Sequence, residues 1–315
     1  MSEDHLMRSA FSTLGILVLL LLAGCGEHTQ KQDASRKTEA RFRDYKVIIS
    51  ESDENELRGG YLSRVEIFKG KALVYAMDSH RFDFGNRFND EKKENATPIG
   101  MDITGDGQPN LVIAEYTGGA HCCLLFHIFE IGNTFRHIQT LDLEDSDSDF
   151  KNLDNDPALE LPTEDWTFEY WHTCFADSPA PEVILKYSAG QYRMAPNLMK
   201  KLPRHQAELY ETAAKIRSMP QWKDPEAIER GHQSGLWKVP DPNYPKVVPS
   251  DLWREMLTLI YTGNMYQAWK LLDLAWPEGI AGKQEFLEEF KAQLKMSLFW
   301  EQLQDMNKNL SVKEP

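Results

Sequence analysis

Residues 102–113 have the sequence Asp-Ile-Thr-Gly-Asp-Gly-Gln-Pro-Asn-Leu-Val-Ile, in which a loop rich in oxygen-bearing side chains runs directly into an apolar segment. The segment 111–113 predicts a short β-strand. A hard cation such as calcium needs six or more oxygen ligands on a tightly curled backbone, and the glycine at position 6 of the loop permits a sharp turn. The candidate metal ligands are Asp102, Thr104, Asp106, Gln108 and Asn110.

A second loop of the same type occupies residues 152–160, with the sequence Asn-Leu-Asp-Asn-Asp-Pro-Ala-Leu-Glu. Its oxygen-bearing positions 1, 3, 5 and 9 are Asn152, Asp154, Asp156 and Glu160, and Pro157 replaces the glycine. We predict a second, weaker metal site here. The alternative for both loops is a tight Asx-type turn whose carboxylates accept hydrogen bonds from backbone amides.

The first loop lacks a glutamate at position 12 and flanking helix patterns, which excludes an EF-hand. It resembles the calcium loop of the integrin-type FG-GAP and VCBS repeats, in which a similar Asp-rich loop precedes a strand. This resemblance implies a calcium-braced β module that binds or scaffolds, and it supplies no reaction. The chain has too few predicted strands for a full propeller.

Two regions of different character predict an α+β protein. Residues 45–198 contain short apolar runs bounded by Gly, Pro or Asp, which indicate a mostly antiparallel β domain carrying both Asp-rich loops. One pair of runs, at 64–68 and 72–77, predicts a hairpin around Gly70. Residues 199–249 predict a helix and a Pro-rich connector.

Residues 250–315 predict a helical domain. Its first two helices resemble one tetratricopeptide unit, because Gly263, Ala268 and Ala275 stand where that motif keeps small residues. The alternative is an ordinary helical hairpin. The resemblance implies a contact with another envelope protein or with an envelope polymer.

The N-terminus predicts export and lipid anchoring. Residues 14–24 form an apolar run too short to span a bilayer, which is typical of a signal peptide covering residues 1–24. The sequence Leu22-Ala23-Gly24-Cys25 resembles the lipobox of bacterial lipoproteins, which implies that Cys25 is lipidated and binds the membrane. Residues 25–44 predict a polar tether. By the same resemblance, the predicted location is the outer membrane, facing the periplasm.

Three further cysteines, Cys122, Cys123 and Cys174, would lie in an oxidising compartment. We predict a structural disulfide from Cys174 to one of the neighbouring pair. The alternative is a zinc or Cu(I) site that adds His121 and His172 to these thiols.

Composition and motifs limit the function. The net charge of −14 disfavours nucleic-acid partners, and the sequence has no P-loop, G-x-S-x-G, H-E-x-x-H or dinucleotide fingerprint. We therefore predict a non-enzymatic binding or scaffolding lipoprotein. Two alternatives remain: a glycan hydrolase using carboxylates such as Asp145, Asp147 or Glu164, and a transition-metal handling protein using the His and Cys cluster.

Overall fold

The computed structural model describes residues 36–52, 63–86, 96–119, 124–223 and 248–308. Within these ranges, eleven strands form three antiparallel sheets, and most of the helices follow them in the chain. The predicted α+β class is confirmed. No helix among the described residues combines the length and apolarity needed to cross a membrane.

Each sheet is built from strands that are consecutive in the chain. The first sheet, in the order β1-β2-β3-β4, consists of Arg36–Phe42, Tyr45–Glu51, Ser63–Lys69 and Ala72–Ser79. The second sheet, in the order β5-β6-β7-β8, consists of Arg81–Phe84, Asn110–Tyr116, Leu124–Ile131 and Phe135–Glu144. The third sheet, in the order β11-β10-β9, consists of Gln191–Met194, Glu182–Ser188 and Glu160–Glu164.

The described helices are α1 (Pro196–Met199), α2 (Gln206–Arg217), α3 (Ser250–Tyr261), α4 (Met265–Ala275), α5 (Lys283–Leu294) and α6 (Trp300–Lys308). Gly263 adopts a φ of +78° between α3 and α4, and this left-handed conformation lets the chain reverse. Ala268 and Ala275 are fully buried. The predicted helical hairpin is therefore present, and its resemblance to a tetratricopeptide unit stays a prediction.

Two sequence expectations concern the first sheet. The hairpin predicted around Gly70 is confirmed, because β3 pairs with β4 across that turn. Strand β1, in contrast, lies inside the segment 25–44 for which the composition predicts a polar tether. Its side chains are mostly exposed, and it pairs with β2 along its whole length. Backbone hydrogen bonding can add a polar strand to a sheet edge without any apolar side-chain signal.

The second sheet is the central layer, with an apolar core on each face. Leu111, Ile113 and Phe129 face the first sheet, whose Val47 and Ile67 complete that core. The alternate residues of the same strands belong to the other core, which continues through the third sheet into the helices. Its members include Val112, Ala114, Phe126, Ile128, Leu161, Val183, Trp253, Phe286 and Phe290.

A buried carboxylate joins the strand region to the helices. Asp165 is 3% exposed and accepts hydrogen bonds of 2.5 Å from the hydroxyls of Tyr261 in α3 and Ser297 after α5. Glu144, at the end of β8, accepts a hydrogen bond from the backbone N–H of Trp166. Burial raises the pKa of Glu144, and the charges of Asp165 and other nearby carboxylates add to the rise while the hydrogen bond from Trp166 opposes it, so that the pKa is about 6.

Glu144 should therefore make stability depend on pH. Its pKa is higher in the folded chain than its ordinary value of 4.5, so folding favours the protonated form. The stabilisation is present below pH 4.5 and is lost as the pH rises to about 6. Because the side chain is only partly buried, we expect a loss of about 1 kcal/mol. Glu144→Gln should remove this step, as measured by urea unfolding between pH 4 and pH 7.

Glu301→Gln, an exposed substitution in the first turn of α6, serves as the control and should leave the step unchanged. A Glu144→Gln variant with the same pH profile as the parent protein would contradict the assignment.

Candidate functional site

The first Asp-rich loop gathers side-chain oxygens around the hydroxyl of Thr104. Thr104 Oγ1 lies 3.2 Å from Asp102 Oδ1, 3.0 Å from Asp106 Oδ1 and 3.3 Å from Asn110 Oδ1. Thr104 and Asn110 are buried, Asp102 is half-buried and Asp106 is exposed. Four of the five predicted ligands are thus brought together at the solvent boundary. The fifth, Gln108, places its side chain over Gly132.

Two glycines give the first loop its curl. Gly105 and Gly107 adopt φ values of +73° and +82°, and their N–H groups donate to the two carboxylate oxygens of Asp102. A Cβ on Gly105 would lie 2.4 Å from the backbone nitrogen of Ala158. The first loop therefore packs closely against the second, and a side chain at Gly105 would separate them.

The second loop repeats the geometry of the first. In both loops, the same three side chains accept a hydrogen bond from a backbone N–H of the loop. The side chain at position 1 accepts from the N–H of position 4, the side chain at position 5 accepts from the N–H of position 7, and the side chain at position 9 accepts from the N–H of position 2. In the first loop these donor–acceptor pairs are Gly105–Asp102, Ile103–Asn110 and Gln108–Asp106. In the second they are Asn155–Asn152, Leu153–Glu160 and Ala158–Asp156, and all six distances lie between 2.6 and 2.9 Å. The weak sequence repeat is a structural repeat.

Pro157 changes one element of this repeat. The N–H of Gly107 donates to Asp102 in the first loop, whereas proline at the same position has no N–H to donate. Asn155 takes the positive φ of 64° at position 4, where the first loop has Gly105. The proline therefore removes one hydrogen bond and leaves the turn in place.

A lysine distinguishes the two loops. The ammonium nitrogen of Lys186, on β10, lies 2.5 Å from Asp154 Oδ2, 2.5 Å from Asp156 Oδ2 and 2.9 Å from Glu160 Oε1. These oxygens come from positions 3, 5 and 9, which are three of the four predicted metal ligands of this loop. The ammonium thus lies where a cation held by the second loop would lie.

The buried carboxylate of Glu160 needs the positive charge of Lys186 as compensation. Its side chain is fully buried, and its second oxygen accepts from the N–H of Leu153. Burial alone would lower the pKa of Lys186, but hydrogen bonds with Asp154 and Asp156 raise it, so the lysine stays charged. The hydrogen bond from Lys186 also lowers the pKa of Asp154. The positive charge that holds the second loop together is therefore supplied by Lys186 of the protein itself.

The remaining predicted residues lie apart from the loops or outside the described residues. Cys174 is exposed, and its Sγ lies 3.6 Å from Asp177 Oδ2. His172 Nε2 lies 3.2 Å from Glu289 Oε2 on α5. Residues 1–24, Cys25, His121, Cys122 and Cys123 lie outside the described residues, so lipidation and the disulfide stay predictions.

The carboxylates of the hydrolase alternative belong to the end of β9 and to the segment between β8 and β9. Glu164 ends β9, and burial raises its pKa, with Asp145 and Glu182 close enough to add to the rise. Asp147 lies in the segment between β8 and β9.

Comparisons with known proteins give no family assignment for this chain. No family model matches the chain, and no solved structure matches it. A curated relative, "Uncharacterized protein y4bJ" of Sinorhizobium fredii (strain NBRC 101917 / NGR234), is 30% identical over 80 residues. The match covers 25% of this chain and 13% of that protein.

Removing the lysine charge should destabilise the protein and create a calcium response. Lys186→Met leaves three carboxylates together, one of them fully buried, and we expect a loss of roughly 2–3 kcal/mol in the free energy of unfolding. Calcium should then stabilise the variant through the second loop. Thermal unfolding with and without millimolar calcium measures both effects.

Lys151→Met is the matched control, because Lys151 is exposed and its backbone pairs with that of Glu160. This variant should keep the stability of the parent protein and should gain no response to calcium. If Lys186→Met were as stable as the parent protein, the ammonium would not be the charge that holds the loop.

Proposed function

We propose that this chain is an envelope-anchored lipoprotein that acts as a non-enzymatic binding or scaffolding module with a calcium-braced β domain. The observation that carries the calcium assignment is the convergence of Asp102, Thr104, Asp106 and Asn110 within one loop. Carboxylate, hydroxyl and amide oxygens on a curled backbone are the ligands that calcium prefers.

The chemistry of the first loop favours a cation from solution. Its two carboxylates accept hydrogen bonds from uncharged donors, namely backbone N–H groups and the Thr104 hydroxyl. Such donors offset the repulsion between Asp102 and Asp106 only in part. In the second loop, the ammonium of Lys186 already supplies this charge. We therefore assign calcium to the first loop, while an ion in the second would have to displace the lysine.

The position of the loop supports a bracing role. Asn110 is both the ninth residue of the loop and the first residue of β6, the strand with a core on each face. An ion held by the loop would fix where this strand begins. The proposed role of calcium is to stiffen the domain, and the binding surface for an envelope protein or polymer would lie elsewhere on the fold.

Calcium should raise the thermal stability of the protein. With two carboxylates among its ligands, the first loop should bind with a dissociation constant of roughly 10⁻⁴ to 10⁻³ M. At 100 times that constant, one site adds about 2.7 kcal/mol, which corresponds to a rise of several degrees in Tm. Magnesium should substitute poorly because it demands a tight octahedron. Scanning calorimetry in chelator, calcium and magnesium measures the response.

Asp106→Asn should blunt this response, and Asp305→Asn, on the exposed face of α6, should not. Identical melting in chelator and in about 100 mM calcium, which is 100 times the weakest expected dissociation constant, would leave the loop as an Asx-type turn and remove the case for a calcium brace.

Lipidation can be tested independently. Cys25→Ser should abolish metabolic fatty-acid labelling and leave an unprocessed or released form, because the lipid is attached to that thiol. Cys174→Ser keeps the lipobox and should be labelled as the parent protein is. Labelling that persists in Cys25→Ser would show that the anchor is elsewhere.

A further inference from the structure

Four polar residues form a connected group on the second sheet, apart from the Asp-rich loops. Glu115 belongs to β6, His127 to β7, and His137 and Thr140 to β8. In the register of the sheet, His127 lies opposite Thr140 and His137 lies opposite Phe129. His127 and Glu115 are buried, whereas Thr140 is exposed on the edge strand.

One histidine is held by a carboxylate. His127 Nε2 lies 2.6 Å from Glu115 Oε2. Although burial would raise the pKa of Glu115, hydrogen bonds from His127 and Ser79 lower it, so Glu115 is ionised and accepts the Nε2–H. In the neutral imidazole, the lone pair then lies on Nδ1. That nitrogen is 2.9 Å from Thr140 Oγ1.

The other histidine approaches the same hydroxyl. His137 Nε2 lies 3.1 Å from Thr140 Oγ1. The ring of Phe129, with a centroid distance of 4.9 Å, packs beside His137 and limits its movement.

The two ring nitrogens, His127 Nδ1 and His137 Nε2, therefore approach one point, the hydroxyl of Thr140, from neighbouring strands. The other nitrogen of His127 is held by a carboxylate. A carboxylate in that position is what orients a histidine toward a metal ion.

We propose that His127 Nδ1 and His137 Nε2 form a binding site for a divalent transition metal, Zn²⁺ or Cu²⁺. Imidazole nitrogen is a preferred ligand for both ions. Glu115 is a positioning residue that fixes the tautomer of His127. A metal–nitrogen distance of about 2.0–2.1 Å requires the ion to take the place of the hydroxyl of Thr140, whose side chain is exposed. Water completes the coordination.

Titration of the full-length chain with ZnCl₂ and CuCl₂ tests this site. Calorimetry gives the affinity, and electron paramagnetic resonance of the copper form reports bound imidazole nitrogens. His137→Gln should weaken binding at least tenfold and remove one nitrogen from the copper spectrum. Glu115→Gln should weaken binding about 10- to 100-fold, because it loses the charge that orients His127.

His172→Gln is the matched control, since His172 belongs to the competing cluster with Cys174 and should leave the affinity unchanged. His137 is the decisive position, because its exposed side chain allows substitution without loss of the fold, which circular dichroism verifies. Equal binding by the parent protein and His137→Gln would overturn the proposal, as would a loss caused by His172→Gln instead. Neither result depends on calcium binding by the first loop.

Discussion

Burial of the second sheet on both faces is the constraint on which the rest of the structure depends. In β6, Leu111 and Ile113 enter one core while Val112 and Ala114 enter the other. A shift of one residue would exchange these sets, so the register must be fixed. The loop before the strand helps to fix the register, because the side-chain oxygen of Asn110 accepts a hydrogen bond from the backbone N–H of Ile103. Ile103 itself is fully buried. The Asp-rich loop is therefore part of the fold as well as a candidate ion site.

Both loops bring carboxylates close together, and each compensates the repulsion between them differently. Each gathers carboxylates on a short curled backbone, and each uses backbone N–H groups to hold them. In the second loop, Lys186 adds a permanent charge, at the cost of ordering a long side chain. A divalent ion in the first loop would depend on its concentration in solution. Gly105 packs against Ala158, so a side chain at position 105 would clash with the second loop.

Local pattern explains how much could be predicted from the sequence. The strands with β-branched runs, the hairpin at Gly70 and the helices after residue 249 carry periodic signals, and the oxygen spacing identified both loops. Three features carry no local signal. Strand β1 is polar and pairs through its backbone. Lys186 is 30 residues from Asp156 and reaches it only because β10 pairs with β9. His127, His137 and Glu115 meet because of the register between strands, which no short spacing records.

Three of the buried carboxylates that the structure describes follow one rule. Glu115 faces His127, Glu160 faces Lys186, and Asp165 faces the hydroxyls of Tyr261 and Ser297. Each pairing lies between different elements, so a misplaced element would leave a buried charge without compensation, which costs several kcal/mol. The carboxylates therefore help to select one arrangement of sheets and helices. Asp102 and Asp106 lie at the solvent boundary with uncharged donors, and an ion from solution could complete them in the way that Lys186 completes the second loop.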